Sequence, residues 1–186
     1  MSKITTEDYT ALLSHIRAEF PDFEVIPKEN SRLMKAIDLA LRIITFGQMK
    51  DFMTKFVTTL GNKVYVPPSW YTKTPTSRWI TMSHERVHIR QARDRGRFWF
   101  SFLYLLVLPC VRAVYRTKFE KEAYRVSMEC IAHAYGVDRL KDPRVRDSFV
   151  GNFTSAAYFW MWTDRKAIEA WYDGIVAELE AVAPMG

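Results

Sequence analysis

Apolar residues recur at helical spacing along most of this chain and at strand spacing in one short region. Over residues 5–19, Tyr9, Leu12, Leu13, Ile16 and Phe20 share one face; Thr5 or Thr6 is placed to cap a helix and Pro21 to stop it. Residues 31–45 predict a second helix, with Leu33, Ile37, Ala40, Leu41 and Ile44 at helical intervals. The stretch DFMTKFVTTLGNKVYVPPSW then turns β-branched and aromatic around Gly61-Asn62, which predicts a hairpin with strands near 52–60 and 63–66. Pro67-Pro68 ends the second strand and suits an edge or near-edge position.

Helical spacing resumes at Thr76 or Ser77 and runs to about Asp94, with Gly96 as a stop. An apolar segment, 98–116, follows and is broken at Pro109. Residues 117–135 predict another helix, ended by Gly136. LKDPRVRD reads as a link, and aromatic-rich helices fill 145–162 and 164–181. The fold class is α+β, mostly helical, with a small hairpin or sheet ahead of the helix that starts near 76. The chain reads as a single domain, 1–186, with a core at about 50–135 and helical additions at both ends.

Composition narrows the function classes. The chain is 48% hydrophobic and 15% aromatic, enough to build a core. Its net charge of +6 gathers around Arg86, Arg90, Arg93, Arg95 and Arg97 and around Arg112, Arg116, Lys118, Lys121 and Arg125. These charges read as a solvated basic face. No nucleic-acid motif accompanies them, which argues against a nucleic-acid partner. The run FWFSFLYLLVLPCV, residues 98–111, is shorter than the about 20 residues a spanning helix needs. With arginines on both sides, it leaves peripheral membrane contact through 98–116 open. The N-terminal MSKITTEDYT lacks the apolar core of a signal peptide, so the expectation is a cytoplasmic protein, with a virion-associated accessory protein as an alternative. Cys110 and Cys130 lie in apolar contexts and read as small core residues; without a C-x-x-C pair, a zinc ribbon is excluded.

One short stretch carries chemistry. SHERVHIRQ, residues 83–91, holds His84 and His88 four residues apart, which stacks their imidazoles one turn apart on one helix face. Two such nitrogens can ligate one Zn²⁺. Glu85 is rotated about 100° from His84, too far to share the ion and well placed to act on a water as general base. A third ligand has to come from another segment. On a helical wheel of 119–133, Phe119, Ala123, Val126, Cys130 and Ile131 form an apolar face that contains Glu120; Lys121, Glu122, Arg125 and Glu129 fall outside it. An acid aimed into the core needs a cationic partner. Glu120 is therefore the preferred third ligand and Glu122 the fallback, with Tyr124 as a group able to hydrogen-bond a ligand. His15 and His133 stand alone and read as exposed or locally satisfied.

HERVH followed by a helix bearing EKEAY resembles the gluzincin zinc metallopeptidases, in particular their small minigluzincin-type members. The resemblance covers about residues 50–135: a hairpin ending in VYVPPSW, a motif helix, then a glutamate helix. It implies zinc on His84, His88 and Glu120, water activated by Glu85, and a peptide or protein substrate added alongside the hairpin. The family's E-x-x-A-D-like pattern maps onto Glu120 and Ala123, and Tyr124 stands where the aspartate is common. Arg86 replaces a commoner apolar residue and points away from the histidines. The family's transition-state donor would fall to Tyr158 in SAAYFWMW, a stripe that otherwise reads as core. The expected reaction is metal-assisted peptide-bond hydrolysis. The alternative is a zinc-binding structural or interaction protein, of a phage or accessory kind, without turnover.

Overall fold

The structure, a computed structural model, describes residues 4–47, 50–96, 109–154 and 163–182, with side chains from 116 onward in the third of these segments. Helix α1 (Thr6–Glu19) starts where Thr5 closes a capping box: its hydroxyl accepts the Asp8 N–H at 3.3 Å, and the Asp8 carboxylate accepts the Thr5 N–H at 2.8 Å. A turn at Pro21 leads into strand β1 (Glu24–Pro27), which the hydrophobic pattern did not reveal. Its partner is distant in sequence. Strand β3 (Lys63–Val66) pairs with it in parallel, Val25 opposite Val64. Between them lie α2 (Arg32–Ile44) and β2 (Thr58–Leu60).

The hairpin forms where expected, but its first strand is shorter than 52–60. Residues 51–55 turn instead, with the Thr54 and Lys55 N–H groups donating to the Asp51 carbonyl. The Lys55 ammonium closes the same turn on the Asp51 carboxylate at 2.7 Å. Gly61 takes φ 59° at the first corner of the two-residue loop, a conformation glycine reaches without strain. Strand order is β1-β3-β2, so β3 is central rather than an edge. Pro67 is tolerated there because it lies one residue past the ladder, where no amide is needed.

Strand alternation separates two layers. Val64 and Val66 join Tyr9, Leu12, Ile16, Trp70, Met82 and Ile89 in one core, while Tyr65 turns to the other face and packs with Met34 and Phe52. Met82 and Ile89 lie on α3 (Pro75–Arg95) and are fully buried. Each such side chain contributes about 1.5–3 kcal/mol by leaving water. Thr74 caps α3 through the Ser77 N–H at 3.2 Å, with Pro75 in the first position, where its missing N–H is harmless. Gly96, at φ 83°, ends the helix.

Helix α4 (Pro109–Tyr135) runs against α3. Pro109 is the first residue of this helix among the described residues, so the expected break in the apolar segment falls at their boundary. Gly136 stops the helix at φ 84°. LKDPRVRD is helical at both ends: α5 (Asp138–Lys141) and α6 (Pro143–Thr154) meet at Asp142, whose side chain accepts the Arg144 N–H at 2.9 Å. Helix α7 (Arg165–Val182) closes the far side, where Met128, Leu140, Tyr172 and Ile175 are buried together. The fold is thus α+β and mostly helical. No helix among the described residues is long and apolar enough to cross a membrane. Residues 97–108 and Tyr158 lie outside the described residues.

Candidate metal centre

Helices α3 and α4 face each other through two polar stripes spaced by whole turns. On α3 these are His84, His88 and Gln91; on α4 they are Glu120, Tyr124 and Ser127. The Nε2 atoms of His84 and His88 stand 3.1 Å apart. The Glu120 carboxylate oxygen Oε2 lies 3.6 Å from the first and 3.7 Å from the second. A tetrahedral zinc with bonds of about 2.0–2.1 Å sets its donors roughly 3.3 Å apart. The triangle is therefore the right size without rearrangement. Glu122, the fallback ligand, takes no part in it: its carboxylate accepts the Gln91 Nε2–H at 2.7 Å.

Hydrogen bonds on the outer ring nitrogens fix which atoms face inward. His88 Nδ1 meets the Gln91 side-chain carbonyl at 3.0 Å, and Gln91 is held in that orientation because its amide nitrogen donates to Glu122 and to the Phe119 carbonyl. A carbonyl only accepts, so His88 carries its proton on Nδ1. His84 Nδ1 meets Ser127 Oγ at 3.1 Å, and that hydroxyl donates to the Ala123 carbonyl at 3.3 Å, so the ring again supplies the proton. Both Nε2 lone pairs then point at each other and at a carboxylate. Three electron-rich atoms converging in a buried space favour a cation between them.

The electrostatics agree. Glu120 is 1% exposed and His88 4%. Burial disfavours a charged His88, but the Glu120 carboxylate, with Glu85 and Gln91 behind it, outweighs burial and pushes the imidazole up to about 9. Burial likewise opposes ionisation of Glu120, and the two imidazoles overcome it, holding that carboxyl well below the usual range. A proton takes the place a metal ion would claim. Arg116, placed by its sequence context on an exposed basic face, is instead buried with Nε 3.8 Å from Glu120 Oε1.

Glu85 leaves the triad and turns toward the sheet. It is 7% exposed, and its Oε2 accepts the Thr59 hydroxyl at 2.6 Å. Thr59 sits in the middle of β2, opposite Val64. A two-residue loop makes Leu60 and Lys63 a hydrogen-bonded pair. Alternation therefore leaves the backbone N–H and C=O of Thr59 facing away from β3, on the margin where no further strand pairs among the described residues. Lys28, fully buried, donates from Nζ to the Phe52 carbonyl at 2.8 Å and feels the charges of Glu85 and Asp38. Burial lowers its ammonium to about 7 despite those carboxylates.

Tyr124 presents its ring edge-on to His84, with centroids 4.7 Å apart, and Ser127 is the α4 residue that holds the His84 ring nitrogen. Arg86 does point away from the histidines. Together with Arg90 and Arg93 it clamps Glu19 of α1, at 2.7, 2.8 and 3.5 Å. Arg86 is half-buried in this contact, whereas Arg90 and Arg93 remain exposed, so the expected solvated basic face holds at those two. Cys130 is buried, and burial pushes its thiol up to about 11. A cavity of about 590 Å³ opens one turn before His84, lined by Ser77, Thr81, Ile131 and Tyr135 among others. Sequence reasoning missed Gln91, Ser127, Thr59 and Lys28; the first two were visible as the next rungs of the His84–His88 and Glu120 stripes. Compared with known proteins, the chain matches no family model, no curated sequence and no solved structure.

Proposed function

We propose that the protein is a zinc-dependent peptidase of the gluzincin kind, with His84, His88 and Glu120 as metal ligands and Glu85 as general base. The observation that carries this reading is the pair of imidazole Nε2 atoms 3.1 Å apart, both turned toward a buried carboxylate and both held in one tautomer from behind. Two nitrogens and one oxygen are donors that suit zinc and leave a fourth position for the reaction. Zinc held there would supply the positive charge that polarises a scissile carbonyl and acidifies a water.

The chain's own residues do the rest. A substrate peptide adds along the outer margin of β2, hydrogen-bonding to the outward N–H and C=O of Thr59. Glu85 takes a proton from the attacking water on a carboxylate oxygen and returns it to the leaving amine nitrogen. The Thr59 hydroxyl fixes the other carboxylate oxygen and so sets the direction of the free one. A second reading, a zinc-binding structural or interaction protein without turnover, draws on the same contact: a base that is 7% exposed and already hydrogen-bonded is also a well-satisfied buried acid.

Glu85→Gln separates the readings. Metal content measured by elemental analysis should be one zinc per chain in parent and variant. Digestion of a peptide library should fall by about 10²–10⁴-fold in the variant. Undiminished cleavage by the variant would refute the base assignment, and bound zinc without cleavage in the parent would favour the structural reading.

A further inference from the structure

Helix α2 carries more apolar surface than the fold uses. The face Leu33, Ile37, Ala40, Leu41 and Ile44, expected from its spacing to pack inward, is split by the structure. Met34 is fully buried, and Ile37 and Leu41 pack beside it against Phe52 and Tyr65. Leu33, Leu39, Ile43 and Ile44 stay outside at 51%, 61%, 67% and 47% exposure. On a wheel, Leu39, Ile43, Ala36, Ala40, Leu33 and Ile44 span roughly 140°, interrupted only by Arg32, in an arc that adjoins the buried one at Ile37. Beyond the helix end, Phe46 is 96% exposed with φ 50°, a backbone conformation that is strained for an aromatic residue.

The charges around this arc are positive in excess. Arg32, Lys35 and Lys50 are exposed beside one exposed acid, Glu29, while Asp38 pairs with Arg42 at 2.8 Å and Asp51 with Lys55 at 2.7 Å. Two copies of the chain joined through α2 would set these cations against each other. An anionic lipid surface accepts both parts: headgroups attract the basic residues while Leu39, Ile43 and Phe46 enter the acyl boundary. We propose that α2 and its corner at Phe46 dock the protein on an anionic membrane. The sheet separates α2 from α3, because Tyr65 faces one layer while Val64 and Val66 face the other. Docking therefore leaves the β2 edge and the His84–His88–Glu120 triangle on the side away from lipid.

The test uses the full chain in a flotation assay. The vesicles are phosphatidylcholine alone, or phosphatidylcholine with about 30% phosphatidylglycerol. The parent should float with the anionic vesicles, and less so when salt is raised from about 0.1 to 1 M, which shortens the screening length roughly threefold. The pair of changes Ile43→Asp and Phe46→Ser should weaken flotation at least about tenfold. Both side chains are exposed, so the thermal melt and zinc content should not move. Failure of the parent to float with anionic vesicles, or full flotation of the variant, would overturn the proposal. So would self-association of the parent that the variant abolishes without any vesicle binding. Flotation itself depends on neither zinc nor peptide cleavage.

Discussion

Replacing Gln91 with methionine tests the tautomer argument most directly. Methionine is similar in length, apolar and adaptable, so the 4% exposed position stays filled. Three hydrogen bonds disappear: His88 Nδ1–H to Oε1 at 3.0 Å, and Nε2–H to the Phe119 carbonyl at 3.2 Å and to Glu122 at 2.7 Å. The last two losses are minor. Glu122 is exposed and rehydrates, and the Phe119 carbonyl lies within α4, where the helix supplies a donor. The serious loss is at His88, whose buried N–H would face no acceptor, a penalty of about 1–3 kcal/mol. Without metal, the Nε2 proton that the Glu120 carboxylate holds lets the ring escape by giving up the one on Nδ1. With metal it has no such escape. The penalty therefore falls on the metal-bound form, and zinc affinity should drop by about 10–100-fold, while the unfolding midpoint in excess chelator changes little. Competition against a fluorescent chelator reads the first quantity and urea unfolding the second. Zinc affinity within about twofold of the parent would refute the assignment of Gln91 as the group that sets His88. An equal loss of stability with and without metal would show that Gln91 matters only for packing.

Three further outcomes follow from other contacts. Glu19→Gln removes the acid that Arg90 and Arg86 hold at about 2, below its ordinary 4.5. The shift corresponds to roughly 3 kcal/mol, present above pH 4.5 and lost as the pH falls toward 2, so parent and variant should converge in acid unfolding titrations. Lys28→Met removes a buried ammonium lowered from 10.5 to about 7. The unfolded chain binds that proton more tightly, so the parent should gain stability relative to the variant as pH rises from about 7 to 10.5, measured by urea unfolding. Tyr172→Phe deletes the hydroxyl that donates to the buried Leu140 carbonyl at 2.8 Å and should lower stability by about 1 kcal/mol.

What was legible in the sequence was whatever depends on a single helix or a single turn. The four-residue step between His84 and His88 and the inward bearing of Glu120 follow from helix geometry alone, and so does the choice of Glu120 over Glu122. The caps at Thr5, Gly96 and Gly136 are equally local. The rest depends on partners far along the chain. Strand β1 is four residues long and ends in proline; only its pairing with residues 63–66 makes it a strand. Lys28 reads as a surface lysine until Phe52 folds over it. On α2, Leu33 and Ile44 share helical spacing with Ile37, yet the sheet covers only one flank of the helix. Periodicity shows that a face is apolar but not which part of it another element covers.

The parallel pairing of β1 with β3 also bears on how the chain can be trimmed. Residues 50–135 hold the hairpin and both motif helices, yet a chain cut to that length would lose the ladder from Glu24 to Pro27. Both margins of the remaining two-stranded ribbon would then be bare, and Val64 would lose its neighbour Val25. Such a fragment would recruit strands from its own copies and precipitate or swap segments, even though His84, His88 and Glu120 were all still present.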